Sequence, residues 1–381
     1  MFNVKTLGQV FTPQSIVAEM LQLKKNFGRT LEPSCGNGAF FREIPDCVGI
    51  EIDKTHCPQD AINMDFFDYP IEEKFDTIIG NPPYVRYQDI SESTKNKLHS
   101  RLFDNRSNLY LFFIEKCINH LTCGGELIFI TPRDFLKATS SIMLNKFIYE
   151  NGTITDLIDL GDKVVFKGFN PNCVIFRFEK GNFSRKTNIT KEFVYSNGQL
   201  LFTDNAYPLK FAELFFVKVG AVSGCDKIFT NQEGNEDFVC SETHRTGKTR
   251  RMIFNTPHPS LLPYKEILLN RKIRKFDETN WFMWGRNHYI SQEKRIYVNS
   301  KTRDKKPFFT HPCNNYDGSV LAIFPRNQEI DIEAACKALN DMNWYELGFV
   351  CDGRFLFSQK SLENTPLPSN FQCFLPRTLF N

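Results

Sequence analysis

The sequence predicts an α/β protein in which a doubly wound, Rossmann-like sheet is followed by a second, mixed α+β domain. In the first half, short apolar runs typical of strands alternate with helical stretches. This alternation predicts a mostly parallel sheet that is covered on both faces. A glycine-containing turn at residues 34–39 precedes a predicted helix, as in the ligand-binding turns of such sheets. The second half is less regular and carries basic clusters.

The elements of the first half follow from their apolar spacing. Residues 108–121 have the length and periodicity of a helix, which Gly124 and Gly125 are predicted to end. The predicted strands are residues 47–50, 77–79, 127–130, 154–158 and 173–178. The pattern becomes polar and turn-rich at residues 181–205. We therefore predict one domain over residues 1–195 and another over residues 205–381.

Composition limits the possible classes of protein. The chain has 381 residues, 41% of them hydrophobic, which is enough for two sizeable cores. No apolar run approaches the roughly 20 residues that span a membrane, and the first residues lack the apolar core of a secretory signal. The twelve cysteines form no CxxC pair and have no metal-ligand spacing to histidine. We therefore expect a cytoplasmic protein with reduced thiols, without a zinc site or a disulfide framework.

The residues around the glycine turn indicate a ligand that contains a nucleoside. Gly36 and Gly38 allow a ligand to approach backbone N–H groups closely. Glu51 ends the following strand, where a carboxylate suits the two hydroxyls of a ribose. Asp65 can accept a hydrogen bond from an exocyclic amine, and Phe66 can cover an adenine face. A phenylalanine at the third glycine position of the dinucleotide fingerprint argues against a pyrophosphate.

The turn Asn81-Pro82-Pro83-Tyr84 follows a predicted strand and suits chemistry on an amino group conjugated to a planar system. Such a nitrogen is a poor nucleophile because its lone pair is delocalised. The Asn81 oxygen and the Pro82 carbonyl, which the proline rings stiffen, can accept hydrogen bonds from its two N–H groups. Tyr84 offers a ring on which a base can stack. For these four residues alone, a proline-rich turn that merely closes a strand is the alternative.

Together, the glycine turn, Glu51, Asp65 and Asn81 resemble the S-adenosylmethionine-dependent N6-adenine DNA methyltransferases of the gamma motif order. In that family the target recognition domain is C-terminal, so the resemblance implies a methyltransferase domain followed by a DNA-recognition domain. It also implies the cofactor S-adenosyl-L-methionine. The residues that it assigns to the cofactor are Thr12, Glu32, Gly36, Asn37, Glu51, Ile52, Asp65, Phe66, Asn81, Pro83 and Phe113.

The same resemblance implies a set of catalytic residues, namely Asn81, Pro82, Tyr84 and Phe166. Phe166 corresponds to the family's phenylalanine that stacks on the extruded base. Phe169 follows closely, and the sequence leaves open which of the two rings stacks. Residues 8–13 resemble the segment that closes over the cofactor, which puts Val10 near the target base. Residues 220–229 and 362–368 resemble the opening and closing segments of the recognition domain.

The second half is predicted to contact DNA. Basic clusters lie at residues 245–251, 271–275 and 301–306. Any one of them, taken alone, would be interpreted as solvated surface. Three such clusters beside a base-modifying domain favour phosphate contact. In residues 284–289, Arg and Asn side chains can read guanine and adenine, whereas most of the tryptophans are predicted to be core. The predicted DNA-binding residues are Val10, Phe169, Lys248, Arg250, Arg251, Arg271, Arg286 and Asn287.

The resemblance implies transfer of a methyl group to N6 of an adenine that is flipped out of double-stranded DNA. The methyl sulfonium is already activated, so the enzyme mainly positions its substrates, and we expect no metal, covalent intermediate or dedicated general base. Residues 84–106 are predicted to be a loop that orders on DNA or cofactor. The implied setting is a bacterial, archaeal or phage restriction-modification or epigenetic system, which leaves open a separate cognate restriction endonuclease.

Three other functions fit parts of the sequence. A protein-glutamine methyltransferase can share the Asn81 turn, because an amide nitrogen is delocalised in the same way, but it does not need a basic second half. RNA adenine methylation is poorly distinguished from DNA methylation by these residues. A non-catalytic DNA-specificity subunit would not need the Asn81 turn or the cofactor residues. Binding of S-adenosylmethionine separates this last alternative from the others.

Overall fold

The computed structural model describes residues 10–103, 107–161, 165–166, 172–351 and 353–376. The chain divides into two compact units, Met1–Asn205 and Ala206–Asn381. Each unit has its own buried apolar residues, so each has a core of its own. No helix in these described ranges is long and apolar enough to cross a bilayer.

A seven-stranded sheet forms the centre of the first unit. Its strands are β1 Thr30–Glu32, β2 Val48–Glu51, β3 Ile62–Asn63, β4 Phe75–Gly80, β5 Leu121–Pro132, β6 Gly152–Asp159 and β7 Cys173–Lys180. They lie in the order β3-β2-β1-β4-β5-β7-β6. Only β7 runs antiparallel to its neighbours β5 and β6, and the other pairs are parallel. The predicted mostly parallel, doubly wound sheet is confirmed.

The central strands of this sheet are buried on both faces. Ile78, Ile79, Leu127 and Ile128 are fully inaccessible to solvent. Strands covered on both faces show continuous apolar runs rather than alternation, which is why the sequence pattern identified these strands. Burial of such side chains contributes about 25 cal/mol per Å² of apolar surface, so this layer supplies much of the unit's stability.

Along the sequence, the helices of the first unit precede or lie between the strands of the sheet. They are α1 Gln14–Gln22, α2 Glu92–Lys95, α3 Leu109–His120 and α4 Ile142–Asn151, and a hairpin of β8 Glu192–Ser196 and β9 Gln199–Thr203 follows. The Asn108 side chain caps α3 by accepting from Tyr110 N at 3.4 Å. Nine of the twelve α3 residues are buried, so this helix is apolar around most of its surface.

Two predictions about this region are corrected. The helix ends at His120, and Gly124 and Gly125 lie inside β5 rather than forming the helix stop. The segment after the Asn81 turn is not without regular structure, because it contains the 3₁₀ turn Tyr87–Asp89 and the helix α2. Ser91 caps α2 by accepting from Thr94 N at 3.2 Å. The predicted ordering of residues 84–106 on DNA or cofactor stays a prediction.

The second unit contains short strands and helices. They are β10 Leu209–Lys210, α5 Phe211–Leu214, β11 Phe215–Val219, α6 Asp226–Phe229, β12 Glu236–Phe238, α7 Thr243–Thr246, β13 Arg250–Met252, α8 Lys265–Leu269, β14 Ile296–Asn299, β15 Lys301–Thr302, β16 Phe308–Phe309, β17 Val320–Pro325, α9 Ile332–Asn340, β18 Val350–Cys351, β19 Arg354–Leu356, α10 Gln359–Glu363 and β20 Pro366–Leu367. Its largest sheet is four-stranded and antiparallel, with the order β11-β17-β14-β16.

The tryptophans belong to the cores of the second unit. Trp284 stacks on Phe238 with ring centroids 4.8 Å apart, and its indole N–H donates to Ile253 O at 2.8 Å. The Trp344 indole donates to Leu339 O at 2.7 Å. With Trp281 also buried, the prediction that most tryptophans serve as core is confirmed.

Candidate active site

The site lies at the carboxyl ends of three neighbouring parallel strands. Glu32 is the last residue of β1, Glu51 is the last residue of β2, and Asn81 follows the last residue of β4. Parallel strands present their carboxyl ends at one edge of the sheet, where ligands of such folds bind. The order of the strands therefore collects residues that are up to 49 positions apart in the sequence.

A cavity opens at this edge of the sheet, as is common for ligand sites at such strand ends. Its lining residues are Val10, Phe11, Pro33, Ser34, Gly36, Glu51, Ile52, Met64, Asp65, Phe66, Phe67, Asn81, Pro83, Ile90, Ser91, Thr94, Leu109 and Phe113. The lining combines aromatic rings at one side with a few carboxylate, hydroxyl and amide groups. Such a mixture suits a ligand that has a flat apolar part and a polar part.

Sequence-predicted residues make up half of this lining. Those that the cavity brings together are Val10, Gly36, Glu51, Ile52, Asp65, Phe66, Asn81, Pro83 and Phe113. Thr12, Glu32, Asn37, Pro82, Tyr84 and Phe166 are not among the lining residues. The sequence reasoning missed Phe11, Pro33, Ser34, Met64, Phe67, Ile90, Ser91, Thr94 and Leu109.

Glu51 holds the glycine turn in place. Its carboxylate accepts hydrogen bonds from Gly36 N at 2.7 Å and from Asp53 N at 2.8 Å. Gly36 has a φ of 51°, a conformation that favours glycine. A Cβ at this position would lie 3.3 Å from the Phe11 ring. Burial raises the pKa of Glu51, and the two backbone N–H groups oppose that shift.

Glu32 supports the same loop from behind the cavity. The side chain is almost completely buried, and its carboxylate accepts from Phe41 N at 2.7 Å. Burial raises the pKa of Glu32 well above its ordinary value. Asn37, which was predicted to contact the cofactor, is exposed on this loop. Glu32 thus acts on the shape of the turn rather than as a wall of the cavity.

Asp65 connects two segments of the cavity wall. Its carboxylate accepts from Phe67 N at 3.0 Å, which caps the 3₁₀ turn Phe66–Asp68. It also accepts from Thr94 Oγ1 at 2.9 Å and from Lys97 Nζ at 3.4 Å. The segment around α2 is thereby fastened to the turn that carries the aromatic rings, and Asp65 retains little free acceptor capacity.

Three phenylalanine rings form the apolar side of the cavity. The Phe66 and Phe113 ring centroids lie 5.0 Å apart, and Phe67 meets Phe113 edge to face at 5.1 Å. These distances are typical of favourable aromatic pairs. A planar heterocycle can pack against such a surface. Phe67 was not predicted, because a second phenylalanine beside Phe66 reads as ordinary core.

The amide of Asn81 has a fixed orientation. Its Nδ2 group donates to Val10 O at 3.0 Å and to Thr12 Oγ1 at 3.2 Å. A backbone carbonyl can only accept, so the nitrogen must face Val10 and the oxygen must face the other way. That oxygen is buried and has no hydrogen-bond partner among the residues that the structure describes. Thr12 accepts from this amide, and its predicted contact with the cofactor stays a prediction.

Tyr84 and Phe166 are buried together next to this turn. The Tyr84 hydroxyl donates to Ile130 O at 2.8 Å, and burial raises its pKa well above the ordinary value. Its ring meets that of Phe166 edge to face, with centroids 6.3 Å apart. Both side chains are less than 10% exposed. Stacking of a base on either ring stays a prediction, and Phe169 lies outside the described residues.

In the second unit, the predicted DNA contacts differ in exposure. Lys248, Arg286 and Asn287 are exposed. Arg251 forms an ion pair with Asp237 at 2.9 Å, and Arg250 lies 3.6 Å from the buried Asp317. Their charges are therefore partly compensated within the unit.

Arg271 is corrected from a DNA contact to an interior residue. Its guanidinium donates to four backbone carbonyls, those of Leu268, Ser223, Trp281 and Met283, at 2.5–2.9 Å. The residue is only 8% exposed. A guanidinium has five N–H donors, so these bonds leave one donor for a phosphate. We therefore leave Arg271 out of the proposed DNA-binding residues.

Two of the basic clusters come close to each other in the second unit. His244, one residue before the first cluster, lies 3.1 Å from Asp304 Oδ2 in the 301–306 cluster, and its ring packs on Phe309. The Asn299 amide donates to Ser241 O at 2.9 Å. Asp304 of the 301–306 cluster therefore lies beside the residue that precedes the 245–251 cluster, a proximity that the sequence could not show.

No cluster of three or more His, Cys, Asp or Glu side chains in the described ranges is arranged to hold a metal ion. The polar groups of the site bind both backbone groups and neighbouring side chains. The chemistry that this arrangement offers is hydrogen bonding and stacking.

Comparison with known proteins gives a match for the central part of the first unit. Residues 38–166 match the family model described as Eco57I restriction-modification methylase. The chain is 34% identical over 221 residues to the Type II methyltransferase M.HincII of Haemophilus influenzae, a match that covers 51% of this chain and 43% of the relative. It is 32% identical over 202 residues to the Type II methyltransferase M.TthHB8I of Thermus thermophilus, covering 46% of each chain. The matched part is less than half the length of both relatives.

A solved structure resembles most of the chain. The Type IIL restriction-modification enzyme MmeI, determined in complex with DNA, matches with a TM-score of 0.57 and covers 92% of this chain and 64% of its own. The sequence identity is 12%, so this likeness establishes the fold alone.

Proposed function

We propose that this chain, which is related over residues 38–166 to the restriction-modification methylases, transfers a methyl group from S-adenosyl-L-methionine to N6 of adenine in double-stranded DNA. The enzyme would act at a specific site and flip the target adenine out of the duplex. The proposal includes a restriction-modification setting, as in the names of its relatives.

The unpartnered Asn81 oxygen carries the proposal. A buried polar atom without a hydrogen bond costs about 1–3 kcal/mol, so its persistence points to a ligand donor. The N6 amino group has two N–H donors and a delocalised lone pair. Acceptance of one N–H by Asn81 and of the other by the Pro82 carbonyl favours tetrahedral geometry at nitrogen, which frees the lone pair for attack on the methyl carbon.

The cavity beside Asn81 fits the cofactor in its chemistry. Glu51 lies at the strand end where a ribose would bind, and Gly36 of the glycine turn lines the cavity beside it. The rings of Phe66 and Phe113 suit an adenine face. Methyl transfer from a sulfonium requires the attacking nitrogen, the methyl carbon and the departing sulfur to be in line, and it needs no charged catalyst. These residues would therefore contribute by positioning.

DNA is the proposed partner of the second unit. Lys248 and the lysines of residues 301–306 are exposed on segments that come close at His244 and Asp304, and we assign them to phosphate contact. Arg286 and Asn287 are exposed side chains able to read base edges. Tyr84 and Phe166 are proposed to stack on the flipped base, a contribution of about 1–3 kcal/mol per base. Their burial implies that the base enters only after one of the rings moves.

An Asn81→Ala variant tests the chemistry. It should bind S-adenosylmethionine within a few-fold of the wild-type affinity, yet turnover should fall by about 100-fold or more, because a transition-state hydrogen bond is lost. Asn63→Ala is a matched control, since the Asn63 amide donates to the carbonyls of Glu51 and Ile52 but does not line the cavity. Its turnover at saturating cofactor should be unchanged. Near-normal turnover by the Asn81 variant would remove Asn81 from the chemistry.

The modified base needs a separate measurement. The gene should be expressed in a host without DNA methylation, and the genome should be sequenced by a modification-sensitive method. N6-methyladenine in one sequence context is expected. Methylcytosine would contradict the adenine assignment, and methylated protein glutamine with unmodified DNA would favour a glutamine methyltransferase instead.

A further inference from the structure

A lysine outside the cavity holds one of its walls. Lys116 lies on α3, and its ammonium donates to Phe66 O at 2.7 Å, to Phe67 O at 2.9 Å and to Tyr69 O at 2.9 Å. An ammonium has three N–H donors, so these carbonyls use all of them. The side chain is half-buried, and burial lowers the pKa of Lys116 while nearby carboxylates oppose that shift.

The three carbonyls belong to the 3₁₀ turn Phe66–Asp68 and the residue that follows it. Phe66 O also accepts from Tyr69 N at 3.0 Å within this turn, whereas the last carbonyls of a short helical turn have no partner within it. Asp65 caps the other end by accepting from Phe67 N at 3.0 Å. The turn is thus fastened at both ends, by a carboxylate before it and by an ammonium after it.

This turn and α3 carry the aromatic wall. Phe66 and Phe67 line the cavity from the turn, and Phe113 lines it from α3. Phe113 and Lys116 are three residues apart on α3 and therefore share a face of that helix. The Lys116 ammonium also lies 4.9 Å from the centroid of the Phe66 ring. The lysine joins the helix to the turn at the point where their rings meet.

We propose that Lys116 is a positioning residue for the cofactor: it sets the rings of Phe66 and Phe67 against the adenine without touching the ligand. This inference rests on the proposed function of the cavity. It predicts that the charge and the three-way geometry of Lys116 act on cofactor affinity and not on the chemical step.

The chain offers a matched control in Lys180. Its ammonium donates to Ile118 O at 2.9 Å and to Leu121 O at 2.8 Å, at the C-terminal end of the same helix. Burial lowers the pKa of Lys180 as well. Neither carbonyl belongs to a residue that lines the cavity. Lys180 therefore shares the chemistry of Lys116 but not its location.

The test compares Lys116→Met, Lys116→Arg and Lys180→Met in the full chain. Methionine keeps much of the length and removes the charge, whereas arginine keeps the charge in a planar fork that cannot converge on three carbonyls in the same way. The dissociation constant for S-adenosylmethionine is measured by calorimetry, kcat and KM by methyl transfer to DNA, and folding by thermal unfolding.

Lys116→Met should raise the dissociation constant about tenfold, because charge-assisted hydrogen bonds are lost from the wall. Its kcat at saturating cofactor should stay within about twofold of wild type. The dissociation constant of Lys116→Arg should lie between those of wild type and Lys116→Met. Lys180→Met should lower the melting temperature to a similar extent without weakening cofactor binding.

Equal loss of affinity in Lys116→Met and Lys180→Met would overturn the inference, because both effects would then reflect general destabilisation. Unchanged affinity in Lys116→Met would also overturn it. If that variant does not fold, wild-type affinity in Lys116→Arg overturns it. A wild-type protein that fails to bind S-adenosylmethionine would instead contradict the proposed function itself, and this inference with it.

Discussion

The charged and polar groups of the site are oriented by backbone groups more than by one another. Glu51 accepts from two backbone N–H groups, and the Asn81 amide donates to a backbone carbonyl. Lys116 donates to three carbonyls. Such bonds fix a side chain only while the loop keeps its shape. The loops at the ends of β1, β2 and β4 are therefore part of the site.

His120 provides a pH-dependent test at the residue scale. The imidazole is completely buried among aromatic rings, and Nδ1 lies 2.8 Å from Glu73 O, to which it donates. Burial lowers the pKa of His120 to about 4. As pH falls below 6.5, the unfolded chain takes up a proton that the folded protein does not bind, so stability is lost between about pH 6.5 and pH 4.

His120→Asn keeps an N–H donor and removes this titration. The stability of wild type relative to the variant should fall by about 2 kcal/mol between pH 7.5 and pH 5, as measured by urea unfolding. His288, whose pKa is also lowered to about 4 by burial, is present in both proteins and cancels. Parallel pH profiles would show that His120 does not titrate in this way.

At single positions, the sequence was informative where a polar residue ends a buried strand. Glu51 and Asn81 were identified in this way, and both line the cavity. Asp65 also lines it, but it follows the exposed strand β3 and was identified from its order in the chain. Thr94 was missed because a small polar residue in a charged segment gives no periodic signal. Arg271 was misread because a basic run looks the same in a sequence whether its members are exposed or satisfied by carbonyls.

Among the elements, one buried carboxylate connects the α1–β1 loop with three strands. Glu126 on β5 accepts from the backbone N–H groups of Lys25 and Asn26 at 2.9 Å, from Thr77 Oγ1 on β4 at 3.0 Å and from Arg177 Nε on β7 at 2.5 Å. The Glu126 side chain is fully buried. This network lies at the start of β4, at the edge of the sheet opposite to the cavity.

Glu126→Gln should lower the free energy of unfolding by about 3–5 kcal/mol, because it removes one partner of a buried ion pair and turns an amide N–H toward donors. Chemical denaturation measures this change. Glu179→Gln is the matched control: Glu179 also pairs with Arg177 but is 30% exposed, so the expected cost is below about 1 kcal/mol. Equal costs would show that burial does not govern this network.

The sequence predicted elements well where apolar runs were long. The central strands and α3 were located because their residues are buried on both sides. Gly124 and Gly125 were misassigned because two glycines usually end a helix, whereas here the chain turns directly into β5. The helix α2 has four residues, which is too short for a periodic pattern.

For the whole molecule, the fold class was predictable and the inner arrangement of the second unit was not. Strands of two to six residues pair there across long distances in the sequence, as β11 does with β17. Such strands give little local signal. The net charge of +3 is likewise uninformative, because it is the placement of the basic residues that creates a surface.

Long-range electrostatics should distinguish DNA contacts from interior cations. Lys248→Ala should weaken binding to all DNA sequences similarly and reduce the slope of log K against log salt by about one, since one phosphate contact is lost. Arg271→Lys should leave that slope unchanged and lower the melting temperature, because its carbonyl partners need a fork of donors. Fluorescence anisotropy over a salt series measures both. An unchanged slope in the Lys248 variant would remove Lys248 from the interface.

The hydrogen bonds from the Asn81 amide to Val10 and Thr12 have a thermodynamic consequence. Val10 and Asn81 both line the cavity. A first ligand that immobilises residues 10–12 therefore also immobilises the Asn81 amide, whose oxygen is proposed to bind the second ligand, the target base. Thermodynamic linkage is reciprocal. If the first ligand raises the affinity for the second by some factor, the second raises the affinity for the first by the same factor. Each ligand should therefore bind more tightly, and by the same factor, when the other is already bound.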